Sequence, residues 1–236
     1  MKRKNNGNGV LQFNENVPHF SDFYQLISKL TAVRYGINKK ILMISSATEG
    51  EGKTTVASYT AITAALSSQD YYILIDGDLR KSMLHKQFQV KREGGLVDIL
   101  ADEMELADAI KQTPYANLHL VTAGTYVKNP FKLLSMLKMK ETLIRMRKHY
   151  KMIFIDGPPI IPISDTLRLA QLVDGVLLVI KAGRTPRTVL KRAVDLLNET
   201  KCPLLGVVLN DTHEVLPYYY HHKYYNYQYE ESNKTK

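Results

Sequence analysis

Two kinds of stretch take turns along the chain. The first is a short, unbroken apolar run: "KILMISS" at 40–46, "YYILIDGD" at 71–78, "LHLVTAG" at 118–124, "KMIFIDGPP" at 151–159, "DGVLLVIKAG" at 174–183 and "LLGVVLND" at 204–211. A strand with one wet face would alternate apolar and polar residues. These runs do not alternate, so they read as strands buried on both faces. The second kind carries apolar residues at helical spacing, over 54–68, 130–149, 164–172 and 186–200. A further helix is expected over 20–35, where Phe20, Phe23, Leu26, Ile27 and Leu30 share a face and Ser21 or Asp22 can cap the start. Strand and helix in alternation predict an α/β fold: a doubly wound, mostly parallel sheet with helices on both faces. The expected organisation is a mobile basic N-terminus over 1–18, a single domain over 19–215 and a tyrosine-rich C-terminal tail over 216–236.

Composition narrows the picture. A chain of 236 residues has room for one sizeable α/β domain and not for two. The net charge of +9 points to an anionic partner: nucleotide phosphates, a membrane surface, acidic protein or nucleic acid. A single cysteine, Cys202, excludes an internal disulfide. No His or Cys grouping lies near it, so it is read as a packing residue. The basic start "MKRKNNGNGV" is followed by no apolar stretch and is not read as a signal peptide. No run reaches the roughly 18 apolar residues that a membrane-spanning helix needs.

In doubly wound folds ligands bind at the carboxyl ends of the strands. After the first run comes "SSATEGEGKTTVAS". Ala47, four residues, then Gly52-Lys53-Thr54 form a phosphate-loop (P-loop) pattern with alanine in the first glycine slot. Gly50 and Gly52 let backbone N–H groups turn toward phosphate oxygens without a Cβ in the way. Lys53 reaches the β- and γ-phosphates, and Thr54 offers its hydroxyl to Mg²⁺. The following helix aims the positive end of its dipole at the same anion. The expected class is therefore a P-loop NTPase, with ATP and Mg²⁺ as ligands.

Two further runs end on acids. "ILIDGDLRK" carries Asp76 and Asp78, and "MIFIDGPP" carries Asp156. A carboxylate at the end of a buried strand is costly unless a cation or hydrogen bonds satisfy it. Beside a P-loop the natural cation is Mg²⁺, which Asp156 would hold directly or through water. Of the pair Asp76 and Asp78, one can orient the metal and the other can accept a proton from an attacking hydroxyl. Arg80 and Lys81 follow at once and could neutralise phosphate charge. A second basic stretch, Lys181, Arg184, Arg187, Lys191 and Arg192, is either a solvated face or a dock for an acidic segment.

These motifs, in their order, resemble the bacterial tyrosine kinases of capsule and exopolysaccharide synthesis. "SATEGEGKTT", "ILIDGDLRK", "GLVDIL" (95–100), "AGTYVKNPFKLL" (123–134), "IFIDGPPI" (153–160), "DGVLLVIKAGRTPR" (174–187) and "LGVVLND" (205–211) carry the resemblance. It implies a protein-tyrosine kinase that moves the γ-phosphate of ATP to tyrosines in the tail of a neighbouring subunit. It places the nucleotide on Ala47, Thr48, Glu49, Gly50, Glu51, Gly52, Lys53, Thr54 and Thr55, with Asn210 at the adenine. Thr54, Asp76 and Asp156 become the magnesium residues. Asp76, Asp78, Lys53 and Arg80 become the catalytic ones, Asp76 being the preferred proton acceptor. It also implies a separate membrane adaptor whose cytoplasmic tail activates the kinase, self-association in trans, an opposing tyrosine phosphatase, and a cytoplasmic chain recruited to the inner face of the plasma membrane. The chain departs from the family in three places. The charged Glu-x-x-Arg-x-x-Arg pattern of the N-terminal helix reads Ser21, Tyr24, Ile27. The proline after the basic pair is Ser82. The glutamate after "NP" is Lys132.

The tail itself reads "LPYYYHHKYYNYQYEE". Seven of the chain's 15 tyrosines, Tyr218, Tyr219, Tyr220, Tyr224, Tyr225, Tyr227 and Tyr229, crowd into it. No helix or strand needs such a run. Beside a P-loop and acidic strand ends, the tail reads as the kinase's own substrate. The other reading is a sticky or metal-binding tail using His213, His221 and His222. Two further functions stay open. One is an ATPase of the MinD/ParA type, whose loop carries an extra lysine near its start; that position here is Thr48. The other is a nucleotide-gated scaffold of polysaccharide assembly. No DNA-reading motif is present, so no specific nucleic acid is expected as a partner.

Overall fold

The structure, a computed structural model, describes residues 20–31, 39–128, 136–163 and 165–212. Seven strands form one sheet: β1 (Ile41–Ser46), β2 (Tyr72–Asp76), β3 (Lys111–Gln112), β4 (Leu118–Val121), β5 (Met152–Asp156), β6 (Gly175–Lys181) and β7 (Leu204–Asn210). The order across the sheet is β3-β4-β2-β5-β1-β6-β7. Every pairing is parallel except that of β3 with β4. The helices are α1 (Phe20–Thr31), α2 (Lys53–Leu66), α3 (Leu84–Gln87), α4 (Leu96–Leu100), α5 (Leu106–Ala109), α6 (Met136–Arg147), α7 (Asp165–Ala170) and α8 (Arg187–Glu199).

Because successive strand side chains point to opposite faces, each unbroken apolar run feeds two cores at once. Ile41 and Met43, with Ile73, Ile75, Ile153 and Ile155, pack under α4, α6, α7 and α8. Leu42 and Ile44, with Tyr72, Leu74 and Phe154, pack under α1, α2 and α3. Small residues such as Ala57, Ala61 and Ala64 let α2 lie close over the sheet centre, and all three are buried. Phe23 of α1 sets its ring edge against Tyr59 of α2, with centroids 5.4 Å apart. Of the three α1 positions that depart from the charged pattern, Ile27 is in the core, whereas Ser21 and Tyr24 are exposed.

Two expectations need correction. The run at 204–211 does form a strand, but β7 lies at the sheet edge and is only half covered, with Val207 and Leu209 exposed. An edge strand has a neighbour on one side alone, so its apolar pattern overstates its burial. The two-residue antiparallel β3 was not expected, since so short a pairing leaves no periodicity to read. Cys202 is buried, as a packing residue should be, and burial pushes its thiol up to about 11. Among the described residues no helix is long and apolar enough to cross a membrane.

The chain leaves β1 toward β2 on one side of the sheet. It leaves β5 toward β6 on the other side. The carboxyl ends of β1, β2 and β5 therefore meet where the winding reverses, which is where open α/β sheets bind ligands.

Candidate active site

The loop between β1 and α2 bends through two left-handed glycines, Gly50 at φ +78° and Gly52 at φ +93°. A side chain at Gly52 would also collide with Asn210, whose Nδ2 lies 2.1 Å from the Cβ position. The positive φ strains any other residue there, and a Cβ would also push the Asn210 side chain aside. Gly52→Ala is expected to abolish nucleotide binding in a calorimetric titration. Adding Asn210→Gly removes the collision but not the strained φ, so the double variant should stay inactive; restored binding would show that the clash alone mattered.

Glu51 was expected among the nucleotide-contacting residues. Its side chain turns inward and is buried. One carboxylate oxygen accepts the Thr48 N–H at 2.8 Å, and the other accepts the Thr185 hydroxyl. The Glu51 carbonyl accepts Asn210 Nδ2 at 2.9 Å. The P-loop is thus tied to the β6–α8 connection and to the end of β7. No local pattern marks this clamp, because Thr185 is 134 residues away from Glu51. Glu51→Ala is expected to raise the ATP KM more than it lowers kcat, which steady-state kinetics would separate. An unchanged KM would exclude the clamp.

Register brings the acidic residues together. Asp76 of β2 sits directly beside Asp156 of β5, and both are almost fully buried. Lys53, at the start of α2, reaches over them. Its Nζ lies 2.9 Å from Asp78 Oδ2, 3.3 Å from Asp156 Oδ1 and 3.3 Å from the Thr54 hydroxyl oxygen. Burial works against the lysine charge, but Asp156 and Asp78 outweigh it and hold its pKa above the ordinary value. Burial raises Asp156 as well, against the pull of Lys53. Asp76 is pushed up to about 7, first by burial and then by the nearby charge of Asp156.

Asp76 is asymmetric. Its Oδ2 accepts the Ser82 hydroxyl at 2.9 Å and the Leu84 N–H at 3.1 Å. Its Oδ1 is buried and has no hydrogen-bond partner. The Asp156 carboxylate with the Thr54 hydroxyl hydrogen-bonded to it is an all-oxygen donor pair that suits Mg²⁺, and the orphaned Asp76 carboxylate oxygen adds negative charge beside it. The residues present therefore fit that ion, and it would be shared with nucleotide phosphates rather than caged by protein alone.

Above these groups lies a cleft of about 530 Å³, lined among others by Glu49, Gly50, Gly52, Lys53, Thr54, Thr55, Asp78 and Asn210. Of the other expected nucleotide residues, Ala47 is wholly buried and Thr48 contributes its N–H to the Glu51 clamp. Of the two basic residues that follow Asp78, Lys81 lies on the cleft wall and pairs with Glu49. Arg80 is exposed and lies near Asp165, outside the cleft lining. The turn after Asp78 explains this. The Asp78 side chain accepts the Lys81 N–H at 3.0 Å and folds the chain so that Lys81, not Arg80, returns toward the loop.

A family model described as an AAA domain matches residues 39–199. The tyrosine-protein kinase YwqD of Bacillus subtilis is 34% identical over 171 residues, which cover 72% of each chain. CpsD of Streptococcus agalactiae, also a tyrosine-protein kinase, is 32% identical over 185 residues, 78% of this chain and 79% of that one. This chain belongs to the bacterial tyrosine kinases. The solved kinase domain of the Escherichia coli tyrosine kinase ETK overlays with a TM-score of 0.74 at 27% identity, covering 85% of this chain and 82% of that one. The cell-division ATPase MinD of Pyrococcus furiosus, at 24% identity and a TM-score of 0.65, shares the fold alone.

The kinase differs from the MinD reading at Thr48, where that reading requires a lysine. "GLVDIL" proves to be structural. Asp98 accepts the N–H groups of Gly95 and Thr125, tying α4 to the loop after β4. In the β6–α8 stretch Lys181 pairs with Asp211 at 2.9 Å, while Arg184, Arg187, Lys191 and Arg192 are exposed. The seven tail tyrosines, His213, His221, His222 and Lys132 lie outside the described residues.

Proposed function

We propose that this kinase transfers the γ-phosphate of ATP to tyrosines of the C-terminal tail in a second copy of the chain, and that tail phosphorylation regulates capsular or exopolysaccharide synthesis. The observation that carries the reading is the arrangement around Lys53. One ammonium group spans Asp78 and Asp156 at the P-loop, and Asp76 Oδ1 stands unpaired beside them.

Backbone N–H groups of 50–55 and the first turn of α2 would hold the phosphates. Lys53 would lean onto the β- and γ-phosphates and stabilise the charge spread over the transferring group. Asp76 Oδ1 would take the phenolic proton as the tyrosine oxygen bonds to phosphorus and the bond to ADP breaks. Thr54 and Asp156 would hold Mg²⁺, which would supply electrostatic neutralisation of the phosphates. Asn210 can meet the base only through its oxygen or its second N–H, since one N–H is committed to Glu51.

A separate membrane adaptor with a cytoplasmic tail would bring the kinase to the inner face of the plasma membrane, and a tyrosine phosphatase would reset it. Each phosphate adds close to two negative charges, so several would make a nearly neutral tail strongly negative and release contacts made to acidic surface or create new ones to basic surface. Replacing all seven tail tyrosines with phenylalanine is expected to remove nearly all autophosphorylation while leaving ATP affinity unchanged. Phosphotyrosine blotting and nucleotide titration check the two halves. ATP hydrolysis without tail phosphotyrosine in the wild type would favour an ATPase, and nucleotide binding without either would favour a scaffold.

A further inference from the structure

The segment after the second acidic motif wraps around Asp76. Ser82 donates its hydroxyl to Asp76 Oδ2 at 2.9 Å, and the Leu84 N–H, which opens α3, reaches the same oxygen at 3.1 Å. One turn on, His85 Nδ1 lies 3.1 Å from the Ser82 oxygen. A serine hydroxyl has a single proton. If that proton goes to Asp76, the imidazole must donate from Nδ1. The result is a directed chain, from His85 through Ser82 to Asp76. His85 itself is half-buried.

This chain settles which Asp76 oxygen can react. Oδ2 is saturated by two donors, whereas Oδ1 is buried without a partner. Without the serine hydroxyl, the carboxylate could turn and give either oxygen to the Leu84 amide. We propose that Ser82, braced by His85, is a positioning residue for phosphoryl transfer. It pins Oδ2 to the serine hydroxyl and the Leu84 amide, and leaves Oδ1 as the oxygen that takes the phenolic proton. A proline, which the family commonly carries after the basic pair, has no hydroxyl to give, so the device belongs to this chain and not to the fold.

The inference rests on the proposed role of Asp76 as proton acceptor. In the reaction the tyrosine O–H bond breaks with its proton going to Asp76 Oδ1, the phenolate oxygen bonds to the γ-phosphorus, and the electron pair of the breaking P–O bond leaves on ADP. Ser82 exchanges no proton. Its work is to hold the acceptor in the attacking orientation, and misorientation should appear in kcat rather than in ATP binding.

Two measurements test this. The first is the tautomer of His85, read by long-range proton–nitrogen NMR in the wild type about two pH units above the ordinary imidazole pKa of about 6.5. The expected state is Nδ1–H, lost in Ser82→Ala. Nε2–H in the wild type would mean that the hydroxyl points at the imidazole and not at Asp76, and would overturn the proposal without any variant having to fold. The second is tail phosphorylation at saturating Mg·ATP. Ser82→Ala should lower kcat by about tenfold, as expected for one hydrogen bond to a charged group. The ATP KM should stay put, and Ser82→Thr, which keeps the hydroxyl, should recover most of the loss. Wild-type kcat in Ser82→Ala, or a threonine variant no better than alanine, would overturn it. If the wild type itself gave no tail phosphotyrosine, the catalytic reading would fall and take the positioning role with it. The tautomer tells that failure from a broken hydrogen-bond chain.

Discussion

Replacing Lys53 with methionine is expected to abolish tail phosphorylation and, separately, to destabilise the nucleotide-free protein. The activity loss follows from removing the charge that meets the transferring phosphate, an effect of roughly a thousandfold or more. The stability loss follows from what the lysine leaves behind. Its ammonium is the cation placed between Asp78 and Asp156, at 2.9 and 3.3 Å, and Asp156 is almost fully buried. Stripping one partner from a buried charge network costs on the order of 3–5 kcal/mol. Urea unfolding in the presence of a chelator measures it. Mg²⁺ should recover part of the lost stability in this variant and less in the wild type, since the oxygen donors remain. An unfolding midpoint equal to that of the wild type would mean that the lysine is not holding the carboxylates together.

Asp76→Asn should move activity and stability in opposite directions. Losing a proton acceptor lowers turnover by about 10²–10⁴-fold. The stability argument turns on sign. The folded protein raises the Asp76 pKa from 3.8 to about 7, chiefly by burial. A carboxyl raised in this way binds its proton more tightly folded than unfolded. Its contribution is full below the unfolded pKa and is lost as pH rises toward the folded one, by up to about 4 kcal/mol. Metal-free wild type should therefore lose stability between about pH 4 and 7 relative to Asp76→Asn. Above that window the variant should melt at the higher temperature, and near pH 4 the two should converge. Thermal melts in chelator across that range decide it. A variant that is less stable near neutrality would show that Asp76 is charged at little cost and that the hydrogen bonds to Oδ2 dominate. A more stable variant near neutrality would place the site under electrostatic strain, as functional sites often are.

Much of this was readable along the chain because the relevant rules are local. Ala47 to Thr54 announce a phosphate loop by spacing alone, and the structure gives Gly50 and Gly52 the left-handed backbone that the spacing demands. Asp76 and Asp156 stood out because each closes an apolar run, where an acid is costly without a reason. Arg80 and Lys81 could not be separated, because a single hydrogen bond from the Lys81 amide to Asp78 decides which of them faces the cleft. Glu51 looked like one more loop residue. Its partner Thr185 lies beyond five further strands, and no local pattern marks so distant a bond. Ser82 registered only as a departure from a family pattern, with its contact to Asp76 invisible.

The class of fold, the phosphate loop, the acids at two strand ends and the tyrosine-crowded tail are legible in the order of residues alone. Each is written in spacing, in periodicity or in composition, which survive without coordinates. Tertiary structure decided the order of the strands, and with it that Asp76 and Asp156 stand side by side beneath one lysine. It decided that Glu51 serves as a clamp, that Lys81 lines the cleft, and that one oxygen of Asp76 is held while the other is free. These are facts about pairs of groups far apart in the chain. Packing and hydrogen-bond geometry bring such groups together, and both exist only once the sheet has closed.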